Sequence, residues 1–265
     1  MKEIILGVIK LAVLLYVAVC VLLYFLQEKL IFFPEKLSPD FRFRFQGPFQ
    51  EISLKMPDRV QLNALLFTTD RPKGVIFYLH GNAGSLASWG EVAQVYTALH
   101  YDVFMLDYRG YGKSEGKISG QRQFYQDMQT AYDHLKTRYA EEDIVVLGYS
   151  IGTGPAAHVA SVNKPGLLIL QAPYYSLPDL MRHYFPFVPS VLLKYKFQTF
   201  QYLPQCAMPV VLFHGEQDEI IYYGSSLKLR ERMKPSDTLI TLAGQGHNGM
   251  SSNPAYLAAL QQILQ

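Results

Sequence analysis

The sequence predicts an α/β protein in which a mostly parallel sheet carries helices on both faces and follows one N-terminal transmembrane helix. Short β-branched and aromatic runs alternate with longer amphipathic segments from about residue 74 onward, and this alternation is typical of parallel sheets. One such run, Ile144 to Leu147, passes into small residues and alanines across a serine, as expected where a strand turns into a helix. The apolar stretch Ile4 to Leu26 predicts the transmembrane helix.

Composition limits the possible functions. Of the 265 residues, 49% are hydrophobic and 17% are charged, with a formal net charge of +2. These values exclude a disordered chain and provide no basic surface for nucleic acid. The two cysteines, Cys20 and Cys206, indicate neither a disulfide framework nor a cysteine metal site. No nucleotide-binding or metalloprotease motif occurs, so we expect no cofactor, no metal ion and no nucleic-acid partner. The oligomeric state stays open.

The N-terminal stretch predicts a retained, single-pass membrane anchor, residues 1–27. As a helix, Ile4 to Leu26 is about 35 Å long, which is enough to cross a hydrocarbon core of about 30 Å. A cleaved signal peptide is the alternative, but the apolar run continues to its end without a small-residue cleavage site. The positive-inside rule places the remaining chain in the cytoplasm. Acidic residues are mixed with the positive charges, so the side of the membrane stays open.

The remaining residues divide into a linker, residues 28–48, and an α/β domain, residues 49–265. Three prolines, Pro34, Pro39 and Pro48, predict the linker, and an antiparallel pair of strands is expected to follow it. The predicted strands are Glu51 to Met56, Gln61 to Thr68, Gly74 to Leu79, Asp102 to Leu106, Ile144 to Leu147, Leu167 to Gln171, Val210 to His214 and Thr238 to Leu242. The predicted helices are Leu86 to Leu99, Gln121 to Tyr139, a helix after Ser150, a helix near Ser225 to Met233, and Pro254 to Leu264.

Residues 174–205 interrupt the alternation of strands and helices. This segment has no clear strand, contains four prolines and is crowded with aromatic residues. Because it follows the strand after Ser150, we expect it to cover the carboxyl edge of the sheet as a helical lid. Its aromatic side chains either pack onto the core, or shape an apolar acyl pocket and contact the membrane. The two interpretations are compatible.

Ser150 is the candidate nucleophile. It lies between Gly148 and Gly152 in a G-x-S-x-G pattern, at the join between the predicted strand and helix. A serine in such a turn is held in a tight backbone, and the flanking glycines leave room for neighbouring chain. Its hydroxyl then projects at the carboxyl edge of the sheet, where active sites of parallel sheets lie.

A serine hydroxyl needs a base and a group that orients the base. His247 follows the last predicted strand in a glycine-containing loop, and we predict that it is the base. His80 and His214 also end strands, but each directly precedes glycine and is expected to pack and to bond to backbone. Asp218 follows the strand that ends at His214 and is the predicted acid. Its competitors as the acid are Glu216, Glu219 and Asp107, the last of which also fits a carboxylate that binds turn amides beside Arg109.

An acyl-transfer site also needs donors for the oxyanion of its tetrahedral intermediate. One predicted donor is the backbone N–H of Ile151, which follows the nucleophile at the start of a helix. The second is expected from the HGNAG loop after the strand that ends at Leu79, from either Asn82 or Ala83. Asn82 is preferred because it directly follows the His-Gly pair.

The order Ser150, Asp218, His247, together with GYSIG, HGNAG, DYRGYGKSEGK and HGEQD, resembles the α/β-hydrolase fold from about residue 51 onward. Within that superfamily, HGNAG, DYRGYGKSEG and the anchor followed by LIFFPE look like the membrane-anchored serine hydrolases that include bud-emergence-type proteins, protein depalmitoylases and lysophospholipid hydrolases. The resemblance implies a cofactor-free hydrolase of esters or thioesters. Tyr222 and Tyr223 stand where relatives often have a proline, which affects only the expected substrate surface.

Three functions therefore remain after the sequence is considered. We expect a membrane-anchored serine hydrolase whose substrate is a small-molecule or lipid-like acyl compound, because an anchored enzyme meets membrane-borne chains at high effective concentration. A serine peptidase of the aminopeptidase-like branch is the alternative within enzymes. A catalytically silent, membrane-tethered binding module is the alternative from another class, since one fold can host unrelated functions.

Overall fold

The computed structural model describes residues 1–265. Ten strands are present: β1 Phe33–Pro34, β2 Phe49–Lys55, β3 Gln61–Phe67, β4 Val75–Leu79, β5 Ala83–Gly84, β6 Asp102–Leu106, β7 Ile144–Tyr149, β8 Leu167–Gln171, β9 Val210–Gly215 and β10 Thr238–Leu242. The α-helices are α1 Lys2–Ile31, α2 Leu86–Trp89, α3 Ala93–Thr97, α4 Gln121–Lys136, α5 Thr153–Val162, α6 Leu177–Tyr184, α7 Thr199–Tyr202, α8 Gly224–Arg230 and α9 Pro254–Ile263.

Eight of the strands form one sheet in the order β10-β9-β8-β7-β4-β6-β3-β2. The β2–β3 and β3–β6 pairs are antiparallel, and all other neighbours are parallel. The predicted fold class, a mostly parallel sheet that begins with an antiparallel pair, is therefore confirmed. The strand that ends at Tyr149 lies fourth from one edge, so Ser150 follows a strand with neighbours on both sides.

Both faces of the sheet are covered, as fully buried strands require. Along β4, Val75, Phe77 and Leu79 face one hydrophobic core, and Ile76 and Tyr78 face the other. The first core also receives buried side chains from α4, α5 and α8. The second receives them from α2, α3 and α9. The alternating burial fixes the register, because a shift by one residue would exchange the two faces.

The predicted helix from Leu86 to Leu99 is wrong as a continuous element. The chain instead forms α2, a 3₁₀ turn at Gly90–Val92 and then α3. The phenyl ring of Phe45 packs directly against the Gly90 backbone, since a Cβ at Gly90 would lie 2.3 Å from Phe45 Cζ. This close contact across the chain coincides with the break in the helix.

Helix α1 is long and apolar enough to cross a membrane, and none of its most apolar window is buried against the rest of the chain. It extends beyond the predicted anchor into the predicted linker and ends at Ile31. Pro34 stops further helix, because a proline disfavours the α conformation of the residue before it. The predicted linker, residues 28–48, is also not a free connection: β1 pairs with β5, and Phe32 packs against Phe124 and Tyr195 at ring distances of 6.0 and 5.2 Å.

The segment predicted as a lid, residues 174–205, contains α6, α7 and two 3₁₀ turns, Ser190–Leu192 and Leu203–Gln205. Its aromatic residues divide into two groups. Tyr174, Tyr195 and Phe197 are fully buried in the core, whereas Phe185 and Phe187 are 62% and 86% exposed. One part of the segment therefore packs into the core, and its tip, around Phe185 and Phe187, is exposed.

Candidate active site

Ser150 lies in a strained turn between β7 and α5. Its φ is +52°, a left-handed conformation that is uncommon for residues other than glycine. The two flanking glycines are required by close approach of backbone. A Cβ at Gly148 would lie 2.5 Å from the Gly152 carbonyl oxygen, and a Cβ at Gly152 would lie 2.2 Å from the Leu79 carbonyl oxygen. The G-x-S-x-G spacing thus has a steric reason in this chain.

Ser150, His247 and Asp218 form one hydrogen-bonded chain. The Nε2 atom of His247 lies 3.1 Å from Ser150 Oγ, and its Nδ1 atom lies 2.8 Å from Asp218 Oδ2 and 3.0 Å from Oδ1. A carboxylate only accepts hydrogen bonds, so Nδ1 carries the proton and Nε2 is left to accept one from the serine. All three residues are buried. The structure brings together the three side chains that the sequence predicts as nucleophile, base and acid.

Asp218 is held as an anion by four N–H donors. Its Oδ1 accepts from the backbone N–H groups of Ile220 and Ile221 at 2.9 and 2.8 Å, besides its bond from His247. Its Oδ2 also lies 3.3 Å from His214 Nε2. Burial alone would raise the pKa of this carboxyl group, but the hydrogen bonds from His214 and His247 hold its pKa well below the usual range.

Two contacts that the sequence does not predict fix the position of His247. The hydroxyl of Tyr149 donates to the His247 carbonyl oxygen at 2.8 Å, and the His247 N–H donates to Glu219 Oε2 at 3.2 Å. Tyr149 and His247 are 98 residues apart in the chain, so no local pattern indicates this bond. Glu219, a competitor for the role of the acid, bonds to the backbone of His247 and not to its ring.

His214 has a larger role than the predicted packing and backbone bond. Its Nε2 lies 2.8 Å from the Ile221 carbonyl oxygen, as expected, and the same N–H also faces Asp218. Its Nδ1 lies 2.6 Å from Ser226 Oγ, which donates to it. The ring therefore connects α8 to the carboxylate. Sequence position at a strand end is the only signal that could have suggested this contact.

The side chains of His80 and Asp107 make no hydrogen bond to Ser150, His247 or Asp218. The Nδ1 of His80 donates to the Gly81 carbonyl oxygen at 2.7 Å, and burial lowers the pKa of the ring to about 4. Asp107 accepts from the Leu86 N–H at 2.9 Å, and burial raises its pKa to about 7. Asp107 therefore binds a turn amide as predicted, but Arg109 bonds elsewhere, to Asp58 and Asp127.

The two loops predicted to provide oxyanion donors meet at Ser150. Ile151 and Asn82 line the same cavity as the serine, whereas Ala83 is exposed and does not line it. The Asn82 loop is held firmly, because the Asn82 carbonyl oxygen accepts from the Phe33 N–H at 2.9 Å and from the Tyr111 hydroxyl at 2.6 Å. Of the two candidates in this loop, only Asn82 lines the cavity.

The cavity beside Ser150 is large and apolar. It has a volume of about 540 Å³, and 15 of its 18 lining residues are hydrophobic, none of them charged. Besides Asn82, Ser150 and Ile151, its walls come from three further parts of the chain: the end of α1, the lid and the loop after β9. They include Leu23 and Leu30 from α1, Leu177 and Met181 from the lid, and Ile221 from the loop. No group of three or more His, Cys, Asp or Glu side chains is arranged to hold a metal ion.

Comparison with known proteins identifies the family. The family Hydrolase_4, described as serine aminopeptidase S33, matches residues 70–203, which is half of the chain. This chain belongs to the Hydrolase_4 family. It is also 31% identical over 195 residues to alpha/beta hydrolase domain-containing protein 17C of Xenopus tropicalis, covering 71% of this chain and 61% of that protein. Against protein 17B of Homo sapiens it is 31% identical over 198 residues, covering 72% and 66%.

Solved structures share the fold of this Hydrolase_4 chain. An esterase of Pyrococcus furiosus superposes with a TM-score of 0.71 at 19% identity, over 88% of this chain and 97% of that one. Est1E of Butyrivibrio proteoclasticus, with ferulic acid bound, superposes with a TM-score of 0.64 at 20% identity, over 80% and 96%. The predicted α/β-hydrolase fold is thereby confirmed. The chain spans somewhat less than two thirds of the length of the curated relatives it matches.

The Hydrolase_4 match contains only part of the candidate site. Ser150, Ile151 and Asn82 lie inside residues 70–203, but Asp218 and His247 lie beyond them. The assignment of these two residues therefore depends on their hydrogen bonds in the folded chain. The α1 residues of the cavity wall also lie outside the matched range.

Proposed function

We propose that this protein is a membrane-anchored serine hydrolase that cleaves esters or thioesters of lipid-like acyl groups. The observation that supports this most directly is the hydrogen-bonded series from Ser150 through His247 to Asp218, which opens into an uncharged apolar cavity. Membership of Hydrolase_4 supports hydrolysis as the reaction. Three groups with these roles are the arrangement that activates a serine as a nucleophile.

The proposed reaction has two half-reactions. Ser150 Oγ attacks the acyl carbonyl carbon while its proton passes to His247 Nε2, and Asp218 stabilises the imidazolium that forms. The backbone N–H groups of Ile151 and Asn82 donate to the oxyanion. When the intermediate collapses, the bond to the leaving oxygen or sulfur breaks and that atom takes the proton from His247.

Water then enters and reverses the proton flow. It gives a proton to His247 Nε2 as its oxygen attacks the acyl-Ser150 carbonyl carbon. The second tetrahedral intermediate releases the carboxylic acid, and the proton on His247 returns to Ser150 Oγ. Ser150, His247, Asp218 and water account for every bond and proton in this cycle, so the proposed reaction needs no cofactor or metal ion.

The character of the cavity favours an acyl substrate over a peptide with a free amino terminus. Recognition of an ammonium group in a buried site needs a carboxylate partner, because an unpaired buried charge is costly. None of the lining residues is acidic. The serine aminopeptidase description of the family makes a peptidase the second candidate, and the cavity ranks it below the acyl hydrolase.

Anchoring by α1 completes the proposal. The helix has 30 residues and is therefore about 45 Å long, which exceeds the hydrocarbon thickness of about 30 Å. The protein would then be a single-pass membrane protein whose substrate is presented by the same membrane. The proposed substrate, a small or lipid-like acyl compound, is the same whichever side of the membrane the domain lies on.

The proposal is tested with purified full-length protein in detergent. Wild type should react with a fluorophosphonate probe and should hydrolyse p-nitrophenyl butyrate and p-nitrophenyl palmitate, whereas Ser150→Ala should do neither. Ser161→Ala is the matched control, because its hydroxyl donates only to the His158 carbonyl oxygen on α5. An aminoacyl p-nitroanilide is assayed in parallel. Faster turnover of this compound would favour the peptidase, and folded wild type that neither reacts nor hydrolyses would favour the silent binding module.

A further inference from the structure

We propose that the tip of the lid, residues 184–192, is immersed in the bilayer beside α1, and that the two form an entrance through which an acyl chain passes directly from the hydrocarbon to Ser150. This inference rests on the proposed function and adds the route and the partner: the partner is the hydrocarbon of the membrane that holds the substrate.

The anchor helix is itself a wall of the substrate cavity. Leu23, Gln27, Leu30 and Ile31 of α1 line the same space as Ser150. These residues span about 12 Å of helix at 1.5 Å per residue. An acyl chain that occupies the cavity would therefore lie along the membrane-proximal part of the anchor. A helix that only tethered the domain would not need to contribute side chains there.

The tip of the lid exposes large apolar side chains on the same side as α1. Phe185, Phe187 and Val191 are 62%, 86% and 83% exposed. A second apolar groove of about 370 Å³ runs between this tip and α1, lined by Val17, Val21 and Leu192 among others. The tip therefore continues the exposed apolar surface of α1. Contiguous exposed apolar surface of this kind is expected where a protein meets another protein or a membrane.

Several backbone groups of the tip are satisfied without water. Pro186 and Pro189 have no N–H group to satisfy. The N–H of Val188 bonds to the Phe185 carbonyl oxygen at 3.0 Å, within the tip. The Phe187 carbonyl oxygen accepts from the Tyr16 hydroxyl of α1 at 2.9 Å. In hydrocarbon each unsatisfied backbone group costs several kcal/mol, so a partner supplied by the anchor stabilises the tip at that depth.

A polar junction marks the level at which the tip leaves the membrane. Gln27, the single buried residue of α1, donates to the Leu192 carbonyl oxygen at 3.1 Å and accepts from the Lys194 N–H at 2.8 Å. The ammonium group of Lys194 pairs with Glu28 at 3.1 Å. From Gln27 to Tyr16 the helix rises about 16 Å, which is about half of a hydrocarbon core. The tip therefore reaches about the middle of the bilayer.

The cavity wall is tested with a pair of neighbouring α1 variants in phosphatidylcholine vesicles. Leu23→Trp fills the cavity from its α1 side. Leu22→Trp adds the same ring one residue away, at a position that is 57% exposed and outside both the cavity and the groove. The readout is the ratio of p-nitrophenyl palmitate to p-nitrophenyl butyrate hydrolysis. We expect this ratio to fall about tenfold or more for Leu23→Trp and to stay at the wild-type value for Leu22→Trp. Equal ratios in the two variants would overturn the inference.

Immersion of the tip is tested directly with brominated lipids. Tryptophan is introduced as Val191→Trp in the tip and, as the matched control, as Val162→Trp at the end of α5, which is 59% exposed and lines neither the cavity nor the groove. Vesicles of phosphatidylcholine brominated along its acyl chains should quench the added fluorescence of Val191→Trp and not that of Val162→Trp. Absence of quenching at Val191, whether the tip faces water or a second copy of the chain, would refute immersion.

These outcomes are separable from those of the proposed function. If wild type hydrolyses neither ester, the proposed function fails whatever the quenching shows. If wild type hydrolyses both esters and Leu23→Trp leaves their ratio unchanged, the hydrolase stands and the membrane entrance is wrong.

Discussion

Replacing Asp218 by asparagine removes the charge that faces His247 while it keeps the shape of the side chain. The carboxylate lies 2.8 Å from His247 Nδ1, which places the two charge centres about 4 Å apart once the serine proton moves to the ring. At an effective dielectric constant of about 20 this attraction is about 4 kcal/mol. Its loss raises the barrier by the same amount and slows the reaction by about 10³-fold.

A second effect of Asp218→Asn adds to the loss of charge. The carboxylate accepts from Ile220, Ile221, His214 and His247, and an amide has only one oxygen for these donors. If the NH₂ group faces His247, the ring must carry its proton on Nε2, where it cannot accept the proton of Ser150. We therefore expect kcat/KM to fall by about 10³ to 10⁴-fold.

The assay is steady-state hydrolysis of p-nitrophenyl butyrate, with the rate of fluorophosphonate labelling as a second readout. Asp107→Asn is the matched control, because Asp107 is also a fully buried carboxylate at a strand end but bonds only to the Leu86 N–H. Its kcat/KM should stay close to that of wild type. A fall of less than tenfold for Asp218→Asn, or a larger fall for Asp107→Asn, would mean that the acid has been assigned wrongly.

Two further predictions concern stability. Gly154→Ala should lower the free energy of unfolding by about 1 to 3 kcal/mol, because its Cβ would lie 2.2 Å from the Tyr174 hydroxyl oxygen. Gly120→Ala, with open space around its Cβ, should change the melting temperature little, and equal melting temperatures for both variants would contradict the packing. Burial raises the pKa of the Asp107 carboxyl group in the folded protein from 3.8 to about 7. Between these pH values the folded state binds a proton that the unfolded state does not, so the free energy of unfolding falls as the pH rises. Asp107→Asn should therefore be more stable relative to wild type at pH 8 than at pH 5 by denaturant unfolding, and an unchanged or opposite difference would refute the shift.

The sheet could be predicted because its strands are short, almost continuously apolar runs. Asp102 to Leu106, Leu167 to Gln171 and Thr238 to Leu242 have the predicted bounds in the structure. Turn residues follow each run. Burial on both faces excludes polar residues from the interiors of the first two runs, whereas Thr238 to Leu242 is a partly exposed edge strand. The three members of the hydrogen-bonded cluster could be predicted for the same reason, since parallel strands deliver their carboxyl ends to one edge.

The contacts between distant parts of the chain could not be predicted in this way. Nothing near Tyr149 indicates that its hydroxyl meets the carbonyl of His247. The position of Phe45 against Gly90 coincides with the break in the predicted helix. It depends on a segment about 45 residues away that the sequence predicts only as a linker. The contact between α1 and the lid is of the same kind, because Gln27 lies just after the apolar run and its partners Leu192 and Lys194 are 165 and 167 residues away in the chain.

Because α1 lines the cavity, loss of the anchor would also change the surface that binds the substrate. Proteolytic release of the domain after residue 31 would leave Ser150, His247 and Asp218 on the shed fragment. The fragment would lack Leu23, Gln27, Leu30 and Ile31 from the cavity wall, and its lid would lose the bonds from Tyr16 and Gln27. On the proposed function, a single cut would thus lower the preference for long acyl chains relative to short, water-soluble ones and would make the protein diffusible.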